Sequence, residues 1–162
     1  MKAGERWIAA AISLVVVGAV VKASLQPAQD EQSQEIPFYN TVDEATALAA
    51  SDLYKQLNCR SCHTIWAVKN ITETVPAPSL DGIGSLRDEA WLYDYFSVVD
   101  PQTMLPSRLK KEYMHPSYAS LPEAERRLLA RYFAGMKVKD WYFEETLRAE
   151  QKKLTGKDPN AQ

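Results

Sequence analysis

Cys59 and Cys62 are the only two cysteines in a chain of 162 residues, and His63, one of two histidines, follows the second directly. The stretch Cys59-Arg60-Ser61-Cys62-His63 constrains this chain more than any other segment. Two cysteines are too few for a disulfide framework or a four-cysteine zinc site. Two histidines exclude any metal site that needs three imidazoles. Four readings of the pair remain: a local disulfide, a redox couple, a zinc site, or covalent attachment of a prosthetic group. A disulfide leaves His63 without a role. A thioredoxin-like couple needs a preceding strand and a βαβ context, and neither is visible. A zinc site would have only His115 to complete it.

The spacing matches the attachment signature of a c-type haem. Each thiol adds to one porphyrin vinyl group, giving two thioether bonds. Side chains three apart share one face of a helical turn, which matches the separation of the vinyls. The adjoining imidazole of His63 then supplies the proximal axial ligand to the iron. One covalent haem c is therefore the expected cofactor, with Cys59 and Cys62 as its thioether residues.

The surrounding pattern is helical. Thr41 and Asp43 offer N-caps, and Ala45, Leu48, Ala49, Leu53, Tyr54 and Leu57 recur at helical spacing up to the cysteines. Residues 64–84 read as loop, broken by Pro76, Pro78, Gly82 and Gly84. Residues 87–99 read as a helix with Trp91, Leu92, Tyr95 and Phe96 on one face. Ser120 is the expected cap of a strong helix with Pro122 near its first turn, running through Leu128, Leu129, Tyr132 and Phe133 to Gly135. A further amphipathic helix is expected over residues 140–155. No period-2 strand stands out, so the fold class is all-α.

Ahead of this lies a different kind of segment. Residues 7–21 carry no charge and sit between Arg6 and Lys22. The run is longer than many signal-peptide cores and shorter than the roughly 20 residues that span a bilayer comfortably. Val21-Lys22-Ala23 is a poor cleavage site, so an uncleaved signal-anchor, a transmembrane helix, leads over a removed signal peptide. Basic residues before the run hold the N-terminus in the cytoplasm and place the chain beyond the run on the outer side. The expected division is an anchor over residues 1–25, a polar linker over 26–42, a haem domain over 43–137 and a C-terminal extension over 138–162. That extension either clasps its own domain or docks on a partner.

From residue 43 to about 137 the chain resembles a class I mono-haem cytochrome c. Ser51 and Tyr54 stand where that family places a small residue and an aromatic ahead of the haem cysteines. Pro78-Ser79-Leu80-Asp81-Gly82 matches its Pro-x-Leu-x-Gly segment. Leu128, Tyr132 and Phe133 can supply the last helix that crosses the first. The resemblance implies three core helices around the haem, with the Pro78 carbonyl accepting a hydrogen bond from the proximal histidine Nδ1–H. It also implies a distal ligand shortly before the last helix, within Tyr113-Met114-His115-Pro116-Ser117-Tyr118. Met114 fits that place best, Met104 is a second candidate, and His115 would make a bis-histidine site of lower potential.

With both axial positions filled, one-electron transfer rather than bond chemistry is the expected work. A haem enzyme or gas-binding protein with an open distal position is an alternative, as is a non-haem interaction domain holding a Cys59–Cys62 disulfide. Trp66, Trp91, Tyr95 and Phe96 are candidate pocket walls. Arg108, Lys110 and Lys111 are placed to ring an exposed haem edge and steer an acidic partner, or else form an ordinary solvated loop. A balance of 19 Lys+Arg against 21 Asp+Glu argues against nucleic acid as a partner. An anchor joined to one haem domain is similar to mono-haem subunits of haem-copper oxidases and bacterial nitric oxide reductases. That similarity implies a respiratory carrier or subunit in the bacterial cytoplasmic membrane, its haem domain periplasmic, exchanging electrons with redox proteins or an integral membrane complex.

Overall fold

A computed structural model describes residues 3–25, 35–68, 75 and 77–157 of this chain. Residues 1–36 and 37–162 are separate units, and each is described by itself. In the first, α1 runs over Ala3–Leu25 with Lys22 in its last turn. Among the described residues no helix is long and apolar enough to cross a membrane. Of the transmembrane helix expected over residues 1–25, the helix is present from Ala3, with a charge in its final turn, but a membrane-spanning length of apolar residues is not. Most of the expected linker, residues 26–34, lies outside the described residues.

The second unit begins with β1, Phe38–Asn40, followed by α2, Glu44–Gln56. Asp43 caps α2, accepting from the Thr46 amide at 2.9 Å and the Thr46 hydroxyl at 2.7 Å. Those two bonds hold the Asp43 carboxyl below its ordinary pKa. A 3₁₀ turn at Cys59–Ser61 ends this segment, entered through Asn58 in the left-handed region (φ 55°). Next come α3 (Ile83–Leu86), α4 (Glu89–Ser97), α5 (Glu123–Gly135), β2 (Met136–Val138) and α6 (Asp140–Thr155). Two further 3₁₀ turns, Pro101–Thr103 and Lys111–Tyr113, punctuate the chain between α4 and α5.

Two details correct the sequence reading. The domain is not purely helical: β1 and β2 pair antiparallel, Phe38 with Val138 and Asn40 with Met136. The strand lies within the expected linker, and Thr41 donates to the Gly135 carbonyl at 3.0 Å beside it. Strands of three residues are too short for alternation to show in a sequence. Secondly, Ser120 does not cap α5. The N-cap position is Pro122, with no side-chain cap, and Glu123 and Glu125 in the first turn complement the helix dipole instead.

The core forms where α5 crosses α2 and α4. Tyr54 stacks on Tyr132 with ring centroids 5.9 Å apart, and Phe96 meets Phe133 at 6.0 Å. Ala50, Leu129 and Ala130 are fully buried between them. Gly84 lies against the end of α5, where a Cβ would collide with the carbonyls of Phe133 and Ala134. These contacts hold α3, and the chain just before it, in one place.

Candidate functional site

Cys59, Cys62 and His63 share one wall of a cavity of about 460 Å³, within the range of about 300–1,000 Å³ usual for small-molecule sites. Both cysteines are free thiols. Burial pushes the Cys59 thiol up, against a hydrogen bond from Tyr118. The facing walls come from α4 and the segment after it, with Trp91, Tyr95, Phe96 and Leu105 prominent. Burial raises the Tyr95 phenol to about 12, so it stays neutral and the lining stays uncharged there. Trp66, a candidate wall, belongs elsewhere: it is 41% exposed and its Nε1–H donates to the Tyr132 hydroxyl at 3.1 Å.

The segment Pro78–Gly82 is held from two sides. The His63 Nδ1 lies 2.7 Å from the Pro78 carbonyl oxygen, which makes Nδ1 the protonated nitrogen and Nε2 the one that could bind a metal. Asp81, buried, accepts from the backbone amides of Trp66 at 2.5 Å and Ala67 at 2.8 Å. Those two residues are in the left-handed region, with φ of 56° and 55°, a conformation that costs L-residues energy. The Asp81 carboxylate offsets that cost by satisfying both amides. Asp81 escaped the sequence reading although it sits inside the Pro-x-Leu-x-Gly segment, because only the fold brings the 66–67 turn to it.

The C-terminal helix closes the site. Glu150, Lys153 and Leu154 of α6 line the cavity. Arg87 reaches Glu150 with both oxygens at 3.2 Å, and lies over the Trp91 ring at 5.0 Å. Arg108 donates to the Lys153 carbonyl at 3.0 Å. Helix α6, within the extension expected over 138–162, thus packs on its own domain. The Arg87 and Glu150 side chains are 22% and 8% exposed. Glu150→Ala leaves the guanidinium half-desolvated without its partner, and is expected to cost roughly 2–4 kcal/mol, somewhat under a fully buried pair. Urea denaturation of the haem-loaded protein measures this, and Glu144→Ala on the same helix serves as the control.

The candidate distal residues fall in three different places. Met104 is half-buried and not part of the cavity wall. Met114 lines the cavity but is 37% exposed. His115 lines it too, its ring centroid 6.3 Å from that of His63. Burial first, and the His63 ring second, hold His115 down to about 4 against the Pro116 carbonyl, so it is neutral at pH 7. Arg108 also lines the cavity, with Lys110 and Lys111 exposed beside it. Among the described residues no group of three or more His, Cys, Asp or Glu side chains could hold a metal ion by themselves.

Two thiols three residues apart, a histidine fixed for Nε2 ligation and a largely apolar cavity fit a macrocycle attached through its edge. The fold and site thus define a helical haem-binding domain. The chain belongs to the cytochrome c family, whose model matches residues 47–137. Its cofactor is a covalently bound c-type haem, and Cys59 and Cys62 fit the attachment motif. No curated protein matches the chain, and no solved structure does.

Proposed function

We propose that this chain is an anchored respiratory electron carrier, or the electron-transfer subunit of a membrane redox complex. Haem-based electron transfer follows from the family; the setting is the proposal. Bound haem c supplies a one-electron iron couple in a site that the protein shields from water. The chain's own part is to hold and insulate it. Cys59 and Cys62 attach the macrocycle. His63 serves as the proximal ligand, and the Pro78 carbonyl orients its ring and raises its basicity. Trp91, Tyr95 and Phe96 exclude water from the facing wall, while α6 covers one side through Glu150 and Leu154.

One observation carries the reading: both thiols and an oriented His63 open onto a single cavity, with Pro78 2.7 Å behind the imidazole. Anchoring is supported by the uncharged run over residues 7–21, which forms part of one continuous helix, Ala3–Leu25. Its exposed Ile12, Leu14, Val15, Val17 and Val21 are surface that a lipid phase would cover. Export to the periplasmic face of a bacterial cytoplasmic membrane follows from the positive-inside rule applied to Lys2 and Arg6. The exposed Arg108, Lys110 and Lys111 suit an acidic redox partner.

The full chain, expressed in a bacterium with haem-attachment machinery, is expected in the membrane fraction and to titrate as a single one-electron couple. A version starting at residue 35 is expected in the soluble periplasm with the same spectrum. Full-length protein in the soluble fraction would overturn anchoring, and a failure to reduce and reoxidise by one electron would overturn the carrier reading.

A further inference from the structure

We propose that His115, rather than either methionine, is the distal axial ligand, which makes this a bis-histidine member of the family. The assignment rests on the electron-transfer reading above and deepens it.

Both histidine rings line the cavity, with centroids 6.3 Å apart and planes inclined at 62°. Two imidazoles that bind one metal ion from opposite sides, through one nitrogen each, would hold their centroids about 6–6.5 Å apart, given metal–nitrogen distances of about 2.0–2.1 Å. Each ring has a backbone carbonyl at its Nδ1. His63 Nδ1 is 2.7 Å from the Pro78 carbonyl and His115 Nδ1 is 2.9 Å from the Pro116 carbonyl. Each carbonyl makes Nδ1 the protonated nitrogen, so Nε2 is the nitrogen each ring presents to a metal.

The distal loop is fixed independently of any ligand. Gln102 Nε2 donates to the His115 carbonyl at 3.1 Å, and Ser117 Oγ donates to the Val98 carbonyl at 3.2 Å. Tyr95 and Tyr118 flank the His115 ring, with centroids 5.0 and 5.3 Å away. A ring held by backbone and aromatic neighbours loses little entropy on ligation. The methionines lack this arrangement. Met104 donates its backbone N–H to the Pro101 carbonyl at 3.1 Å and is outside the cavity wall, while Met114 is 37% exposed. Two imidazoles favour ferric iron more than a histidine–methionine pair does, so the potential is lower. The donor to this protein must then be a correspondingly strong one-electron reductant.

The test uses the full-length haem-loaded protein with His115→Met, His115→Ala and Met114→Leu. The unaltered ferric protein is expected to be low-spin without the far-red band of thioether-ligated iron. His115→Met should gain that band and a higher potential, which no purely structural histidine would produce on replacement. His115→Ala should become high-spin or bind carbon monoxide when reduced, and Met114→Leu should keep the parent spectrum and potential. A far-red band in the parent that Met114→Leu abolishes would overturn the assignment, as would a His115→Ala protein with the parent's low-spin spectrum. Staining for covalent haem on a denaturing gel separates the two levels of inference. A stained band with the wrong ligand signature rejects His115 alone, whereas no stained band rejects the haem-protein reading and the ligand with it.

Discussion

The double variant Cys59→Ala, Cys62→Ala is expected to carry no covalent haem at all. Each thiol supplies one thioether, so either single variant should retain at most one bond, and the pair none. The consequence reaches beyond the cofactor. The cavity of about 460 Å³ is lined by α4, the Cys59–Ser61 turn and α6, and a ligand that binds only the folded state stabilises that state. Without attachment, Trp91, Tyr95, Phe96 and Leu105 line a space that they cannot fill. The double variant should therefore lose haem in acidic acetone, show no stain on a denaturing gel, and melt well below the parent. Retention of haem through acid extraction would show that the group is attached elsewhere.

Gly84→Ala is expected to be the most damaging single substitution outside the attachment motif. A Cβ there meets the backbone carbonyls of Phe133 and Ala134 at the end of α5, and backbone cannot swing aside as a side chain can. Either α3 lifts from α5 or the end of α5 distorts. Overpacking of this kind costs typically about 1–3 kcal/mol and occasionally more, and about 3–4 kcal/mol, at or above the top of that range, is expected where the obstacle is backbone. That corresponds to a fall in melting temperature of roughly 10–25 °C for a domain of this size. The site should register the change too. Leu80 and Ile83 line the cavity and flank the segment whose Pro78 carbonyl faces His63, so a displaced α3 disturbs His63. Gly156→Ala is the comparison. Gly156 has φ +72° at the C-cap of α6, with only the flexible Arg108 side chain nearby, and its loss should cost about 1 kcal/mol. Equal melting temperatures for the two variants would show that the α3–α5 approach is not tight.

Much of the site was legible in the chain because its chemistry is written in adjacent residues. Two thiols three apart, followed by an imidazole, need one turn of backbone to face the same way, and the structure places all three on one cavity wall. The Pro78 hydrogen bond was also legible, through the resemblance carried by Pro78–Gly82. The helices Glu44–Gln56, Glu89–Ser97 and Asp140–Thr155 were visible as apolar periodicity, the first with its Asp43 cap. Ser120 misled, since a serine two residues ahead of a proline is a good local cap, while Pro122 itself takes the N-cap position here.

What the sequence determined by itself was the chemistry of attachment and the helical class, both of which depend on neighbours within a turn or two. Only the tertiary structure decided which distant residues meet. It paired Phe38–Asn40 with Met136–Val138 across nearly the whole domain, and sent Trp66 to Tyr132 instead of the cavity. It set the Asp81 carboxylate under the 66–67 turn, and closed the site with Glu150 of α6 on Arg87. It brought the rings of His63 and His115 to within 6.3 Å of each other while leaving Met114 partly exposed. No local propensity encodes such meetings: they come from how α2, α4 and α5 pack, and packing answers to shape and buried area summed over the whole domain.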